Sequence, residues 1–255
     1  MSFYEQVRAD VLRHGAINNP YLTRFRAGDV TDSELQEFAV EFYSFARFFP
    51  RILAAQLVNT EDEAVADELT KVLYSELGDG VVKNRHELLY RNFLRSLGID
   101  IHEAMSTPMM PSTRAYIKGM EDLYSSSNHA TALGASFGLE NMAITMWDHL
   151  IPGLIVLKEA RRPRMDMTYF TFHRQLESEH EQAMEHAMAA VEGTGCVSNA
   201  CMSEMEKKDF RLGMNAVLDY LEGFWMGLER KSAGFAQIWT QPVQQLAGEL
   251  RGQSH

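Results

Sequence analysis

His173, Glu177 and His180 stand at positions i, i+4 and i+7 of the segment His173-Arg-Gln-Leu-Glu-Ser-Glu-His180. At about 100° per residue, their side chains fall within roughly 60° of one another on a helix, and Met184 and Ala187 continue the stripe. A core-facing stripe is ordinarily apolar, and two imidazoles with a carboxylate there cost several kcal/mol unless something compensates them. A metal ion compensates all three. Glu177-x-x-His180 also has the i, i+3 spacing used by carboxylate-bridged dimetal sites built on helices. The plain alternatives are a hydrogen-bonded core histidine or a solvated His/Glu face. Glu179, Glu181, Glu185 and His186 do read as the wet face of the same helix.

A dimetal carboxylate site takes roughly six protein ligands from several helices, so the trio needs partners. Glu140 sits amid Phe137, Leu139, Ala143 and Ile144 with Ser136 one turn before it, an acid in apolar and small-residue surroundings. Glu76 follows Val72 and Leu73 near the end of a helical pattern, and His86 comes ten residues later. On a straight helix ten residues span about 15 Å, too far for ions about 4 Å apart, so the chain must bend between the two. Gly78 and Gly80 permit such a break, and a glycine-relaxed segment between two ligands is expected to order when metal binds. The alternative for Glu76 and His86 is a helix cap or a surface salt bridge.

Helical periodicity dominates, and no segment sustains the period-two alternation of a strand, so the chain reads as all-α. A first helix fits Phe3 to His14, and Asn18-Asn19-Pro20 and Ala27-Gly28-Asp29 read as turns. Thr31 with Glu34 makes a capping box for a long helix carrying Leu35, Phe38, Phe42, Phe45, Phe49 and Leu53, with Pro50 a candidate kink. A third helix ends near Glu76, and a further one runs through His86, Leu89 and Phe93 to Gly98. Residues 104–112 read as a Pro-punctuated connection, and Ser112 opens a helix to about Tyr124. The next helix, from about Ala130 to His149, is expected to stop at Pro152-Gly153. Its start is rich in small residues, which lets another helix or a ligand approach closely. The His/Glu stripe lies in Met165 to Glu192, and Ser203-x-x-Glu206 caps a last long helix through Leu212, Val217, Leu221, Phe224 and Trp225. Without an internal repeat or linker, the expectation is one domain over 1–245 and a polar tail over 246–255.

The 255 residues are 45% apolar and 23% charged, which is ordinary for a globular chain. A net charge of −11 and a pI near 5.3 argue against nucleic acid and against anionic membrane surfaces. The basic run Lys158 to Arg164 is explained by a helix C-terminus. No stretch is apolar for the length of a membrane span and the first residues lack a leader's apolar core, so the expected location is cytoplasmic. The two cysteines, Cys196 and Cys201, fall in a Gly-containing loop and read as free thiols.

Taken together, Glu76-x9-His86, Glu140 and His173-x3-Glu177-x2-His180 resemble the ligand set of the heme-oxygenase-like diiron oxidases and oxygenases. That superfamily shares its fold with thiaminase II and pyrroloquinoline-quinone synthase, which lack these metal ligands. Asn19-Pro20-Tyr21 with Gly28, and the aromatic stretch Phe45 to Pro50, are similar to the family's opening and second helix. The wide spacing of Glu76 and His86 resembles the amino-acid N-oxygenase and fragmenting-oxidase branch. It differs from the tighter spacing of the para-aminobenzoate synthases and the alkene-forming decarboxylases. Glu177 departs from the family, where Asp is common. The resemblance implies a single-domain heme-oxygenase-like bundle of about seven to eight helices.

It also implies that Glu76, His86, Glu140, His173, Glu177 and His180 bind two Fe(II) ions and are the catalytic set. O2 would be the co-substrate, reduced to a peroxide bridging the irons, and a small amine or amino acid would undergo N-oxygenation, desaturation or oxidative C–C cleavage. Glu41 is the candidate for a further carboxylate, Phe45, Phe49, Phe137, Tyr43 and Trp147 for the apolar wall, and Tyr43 for radical chemistry. The rival readings are a metal-free thiaminase-like or cofactor-forming enzyme of the same fold, and a non-catalytic helical binding protein. The oligomeric state stays open, a homodimer included.

Overall fold

Local signals in the sequence set where the helices begin. Ser2 with Glu5 and Thr31 with Glu34 form reciprocal capping boxes, while Asn19, Asp62, Asp100 and Asn128 accept from backbone N–H groups of the helices they open. The structure, a computed structural model, describes residues 2–176 and 202–232. Its helices are α1 (Phe3–Arg13), α2 (Pro20–Arg26), α3 (Asp32–Val58), α4 (Glu63–Glu76), α5 (His86–Ser96), α6 (Ile101–Ser106), α7 (Pro111–Tyr124) and α8 (His129–Arg161). They are followed by α9, described over 168–176, and α10 (Glu204–Ser232). No strand occurs among the described residues. No helix of the described residues is long and apolar enough to cross a membrane.

The long helices α3, α8 and α10 frame one apolar interior, where Phe38, Phe42, Phe137, Leu154, Phe224 and Trp225 are all buried. The α8–α10 contact is closest where Gly134 faces the Phe210 carbonyl and Gly213 faces the Thr131 carbonyl. A Cβ at either glycine would overlap the opposing backbone, so only glycine allows the approach. The helix that approaches the small-residue start of α8 is thus α10.

Three expectations are corrected. Pro152 does not stop α8, which continues to Arg161 because one lost intrahelical hydrogen bond is outweighed by burial of Leu150, Leu154 and Leu157 on one face. Asn19-Pro20 is a helix start, with Asn19 the cap and Pro20 at the first position of the short α2. The first residues of the 104–112 connection are helical, as the end of α6, which Asp100 opens. The basic run closes α8 as expected, with Arg162 also paired to Asp32 at 2.5 Å. Both cysteines lie outside the described residues.

Candidate metal centre

Glu76 is the last residue of α4 and His86 the first of α5. Between them the chain reverses through three consecutive left-handed residues, Gly78 (φ 91°), Asp79 (φ 52°) and Gly80 (φ 77°), and a 3-10 turn at Val82–Asn84. A side chain at Gly78 would run into the Val81 carbonyl and the Arg85 amide, so the tight return depends on that glycine. The reversal brings His86 Nδ1 to 2.9 Å from Glu76 Oε2. From α9, His173 Nε2 approaches Glu76 Oε1 at 3.7 Å, and the two imidazole rings lie 4.2 Å apart. All three side chains are buried, with no more than 5% of each residue exposed. Their ligand atoms lie within 4.8 Å of one another, a spacing at which one metal ion can be held by all three.

The hydrogen bonding fits a ligand set better than a closed polar cluster. His173 Nδ1 lies 2.9 Å from the Tyr169 carbonyl one turn back on α9. A neutral imidazole carries one N–H, and spending it on that carbonyl leaves Nε2 as a lone pair aimed at a carboxylate oxygen. Two acceptors facing each other repel unless a proton or a metal cation lies between them. Fixing the ring through its other nitrogen is how metal-bound histidines are oriented. His86 is starker, because despite its 2.9 Å contact with Glu76 both ring nitrogens are buried without an aligned hydrogen-bond partner among the described residues. Burial of Glu76 works to raise its pKa, but the His86 and His173 imidazoles outweigh it and hold the carboxyl well below the usual range. Glu76 also sits at the negative end of α4 and His86 at the positive end of α5, so both helix dipoles oppose an anion and an imidazolium at these posts. A cation shared by the carboxylate and neutral imidazoles relieves that conflict.

Glu140, on α8, lines the same cavity of about 40 Å³ as Glu76 and His173. That is room for more than one water-sized occupant. The rest of the wall is apolar, with Phe42, Phe45, Phe49, Met142, Met146, Trp147 and Leu221, together with Tyr116 and Tyr169. Of the expected wall, Phe45, Phe49 and Trp147 are in place, whereas Phe137 and Tyr43 do not line this cavity. Phe137 packs against Phe210 and Tyr4, and Tyr43 stacks on Tyr90. Glu41 stays apart as well. Both its carboxylate oxygens accept the Met110 N–H, at 3.1 and 3.2 Å, at the start of α7, and burial raises its pKa. Glu177 and His180 lie outside the described residues. Tyr169 and Tyr116 line the cavity without being among the expected site residues. Tyr169 was findable, since it stands one turn before His173 on the same helix face.

Residues 36–205 match the model of a family described as iron-containing redox enzymes, and the chain belongs to that family. It is an oxidoreductase with a heme-oxygenase-like helical fold. Among characterised relatives it is 23% identical over 227 residues to a 4-chloro-allylglycine synthase of Streptantibioticus cattleyicolor, covering 89% of this chain and 82% of that one. It is 24% identical over 183 residues to a 4-aminobenzoate synthase of Chlamydia muridarum, covering 71% and 75%. Among solved structures it resembles a CADD-like protein of unknown function from Nostoc punctiforme, with a TM-score of 0.73, 17% identity and 90% and 96% of the two chains covered. A TenA homolog from Pseudomonas syringae gives a TM-score of 0.72 at 15% identity, with 90% and 93% covered.

Proposed function

We propose that the chain is a non-heme diiron oxidase or oxygenase acting on a small amine or amino-acid-derived substrate, with Glu76, His86, Glu140, His173, Glu177 and His180 as ligands to two Fe(II) ions. The observation that carries this reading is the buried Glu76–His86–His173 cluster. One histidine there is locked by a backbone carbonyl with its free nitrogen toward the carboxylate, and the other has no aligned hydrogen-bond partner among the described residues. Glu140 on the same cavity supplies a fourth donor. Glu177 and His180, one and two turns beyond His173 in a helical register, would complete the set. Family membership supports iron, and the two named relatives, both synthases of amino compounds, support the substrate class.

A ferrous pair would supply the two electrons that reduce O2. The protein's own tasks are positional. The three carboxylates would offset the ions' positive charge, and imidazoles in place of further acids would keep the site from becoming strongly anionic. Tyr169 fixes the His173 tautomer through its carbonyl. Phe42, Phe45, Phe49, Met146 and Trp147 keep water from the space beside the ligands, so that oxidation falls on a substrate bond rather than on solvent.

The test is a set of Ala variants at His86, His173 and Glu140 in metal-loaded protein. Iron content and O2 consumption are expected to fall together in each. Full iron occupancy with full O2 consumption in a variant would remove that residue from the set. A wild-type protein that folds without affinity for iron and converts thiamine-like compounds would favour the metal-free reading.

A further inference from the structure

The His173 ring lies 4.1 Å from the Tyr169 ring, which meets Tyr90 edge-on at 4.7 Å, and Tyr90 stacks on Tyr43 at 5.8 Å with the planes 19° apart. All three phenols are buried. Phenols and indoles give up one electron to a strong oxidant, and a phenol does so most readily when a base takes its proton. Tyr90 donates its hydroxyl to the Ala39 carbonyl at 3.1 Å, and a backbone amide is too weak a base to remove that proton. Tyr43 is different. Its hydroxyl donates to Glu87 Oε1 at 2.7 Å, and Arg91 Nε lies 3.0 Å from the phenol oxygen and 2.6 Å from Glu87. The Glu87 and Arg91 side chains are 26% and 31% exposed, so this aromatic chain starts at a candidate ligand and ends at the solvent boundary. A second aromatic route from His173, through Trp147, Phe42 and Trp225, ends at Tyr21. The Tyr21 hydroxyl is buried without a hydrogen-bond partner among the described residues, so none of them is placed to take its proton.

We infer that Tyr169, Tyr90 and Tyr43 form a one-electron relay between the His173 end of the metal centre and the surface, with Tyr43 as its outer station and Glu87 as its proton acceptor. The inference rests on the iron reading proposed above. With iron bound, oxidised by O2 and without substrate, Tyr43 would give up one electron by way of Tyr90 and Tyr169. The Tyr43 proton passes to Glu87, giving a neutral phenoxyl radical and an uncharged carboxyl. A solvent reductant of the thiolate class then gives one electron to Tyr43 and becomes a thiyl radical, while the proton returns from Glu87. Arg91 and Arg47, whose guanidinium carbon is 6.0 Å from the Tyr43 ring, place positive charge where such an anionic donor would approach. The relay spares the ligands from oxidation during turnover without substrate.

The experiment loads wild type, Tyr43→Phe, Tyr90→Phe and Tyr74→Phe anaerobically with Fe(II), mixes them with O2 without substrate, and records electron paramagnetic resonance on freeze-quenched samples containing ring-deuterated tyrosine. Phenylalanine keeps each ring's packing, so equal iron uptake is expected throughout. An organic radical narrowed by deuteration is expected in wild type and in Tyr74→Phe, an exposed tyrosine off the chain. It should be lost in Tyr43→Phe and Tyr90→Phe, with more oxidised peptide around His173 by mass spectrometry. A radical of wild-type amount in Tyr43→Phe, or iron-loaded wild type that consumes O2 without any tyrosyl signal, overturns the relay alone. Wild type that takes up no iron overturns the iron reading and the relay with it.

Discussion

Replacing Gly213 with Ala sets two effects of opposite sign against each other. Ala is favoured over Gly in a helix interior by about 1 kcal/mol, so on propensity alone the variant gains stability. The structure says otherwise. A Cβ at Gly213 would stand 2.8 Å from the Thr131 carbonyl carbon and closer still to its oxygen, where ordinary contact begins at 3.4 Å. The obstacle is the backbone of α8, which no rotamer can move, so α8 and α10 must part by more than half an ångström. A gap of that size forfeits about a quarter to a half of the dispersion attraction of the atoms it separates. Overpacking of this kind costs about 1–3 kcal/mol, and the backbone obstacle puts the net loss at about 2 kcal/mol after the propensity gain. Because α8 carries Glu140, the shift should also weaken iron binding. Urea denaturation of the metal-free proteins gives the stability, and iron occupancy gives the second effect. A lower midpoint at unchanged slope is expected. An unchanged or higher midpoint would refute the assigned helix contact.

Glu34 tests the α2–α3–α10 corner. Burial works to raise its pKa, but the Thr31 cap, Ser232 and Arg24, 3.0 Å away, bring it down to about 2. A lowered folded-state pKa adds stability above the unfolded value near 4.5, and that stability is lost as pH falls toward 2. Screening at this partly exposed pair limits the gain to about 1–2 kcal/mol, so Glu34→Gln should be less stable at pH 7 and lose less between pH 4.5 and 2. Equal pH profiles would contradict it. Glu41→Ala leaves the Met110 amide without its acceptor and should cost about 1–2 kcal/mol, with iron occupancy unchanged. Loss of iron in that variant would return Glu41 to the ligand set. Anaerobic Fe(II) at a hundredfold excess over its dissociation constant should stabilise the wild type by about 2.7 kcal/mol for each iron site filled. His86→Ala should show little of that gain in thermal melts.

The parts of the fold legible in the sequence were those fixed by local chemistry. The capping boxes at Thr31 and Ser203 and the Gly78–Gly80 break all sit where residue types alone place them. Breakers whose effect depends on tertiary burial are not legible from local residue types. Pro152 resembles a stop until the buried leucines on either side of it are counted, and Asn19-Pro20 resembles a turn until the seven-residue helix that Pro20 opens is seen to bury Tyr21, Leu22 and Phe25. In the site, spacing singled out Glu76, His86 and His173 because apolar helical neighbours make a buried acid or imidazole conspicuous. Spacing could not separate Glu41 from them, since a carboxylate capping a distant helix has the same local pattern as a ligand. Nor could it show that Tyr43 turns toward Glu87 rather than the cavity, which is settled by contacts between α3 and α5.

The most direct test of the central claim is anaerobic titration of metal-stripped wild type with Fe(II), followed by rapid mixing with O2 under visible absorption. The account predicts uptake of two irons per chain, with both lost in a His86/His173 double Ala variant, and O2 consumption with a transient visible band only in the loaded protein. Well-folded protein that takes up no iron, or that keeps both irons without those histidines, would contradict it.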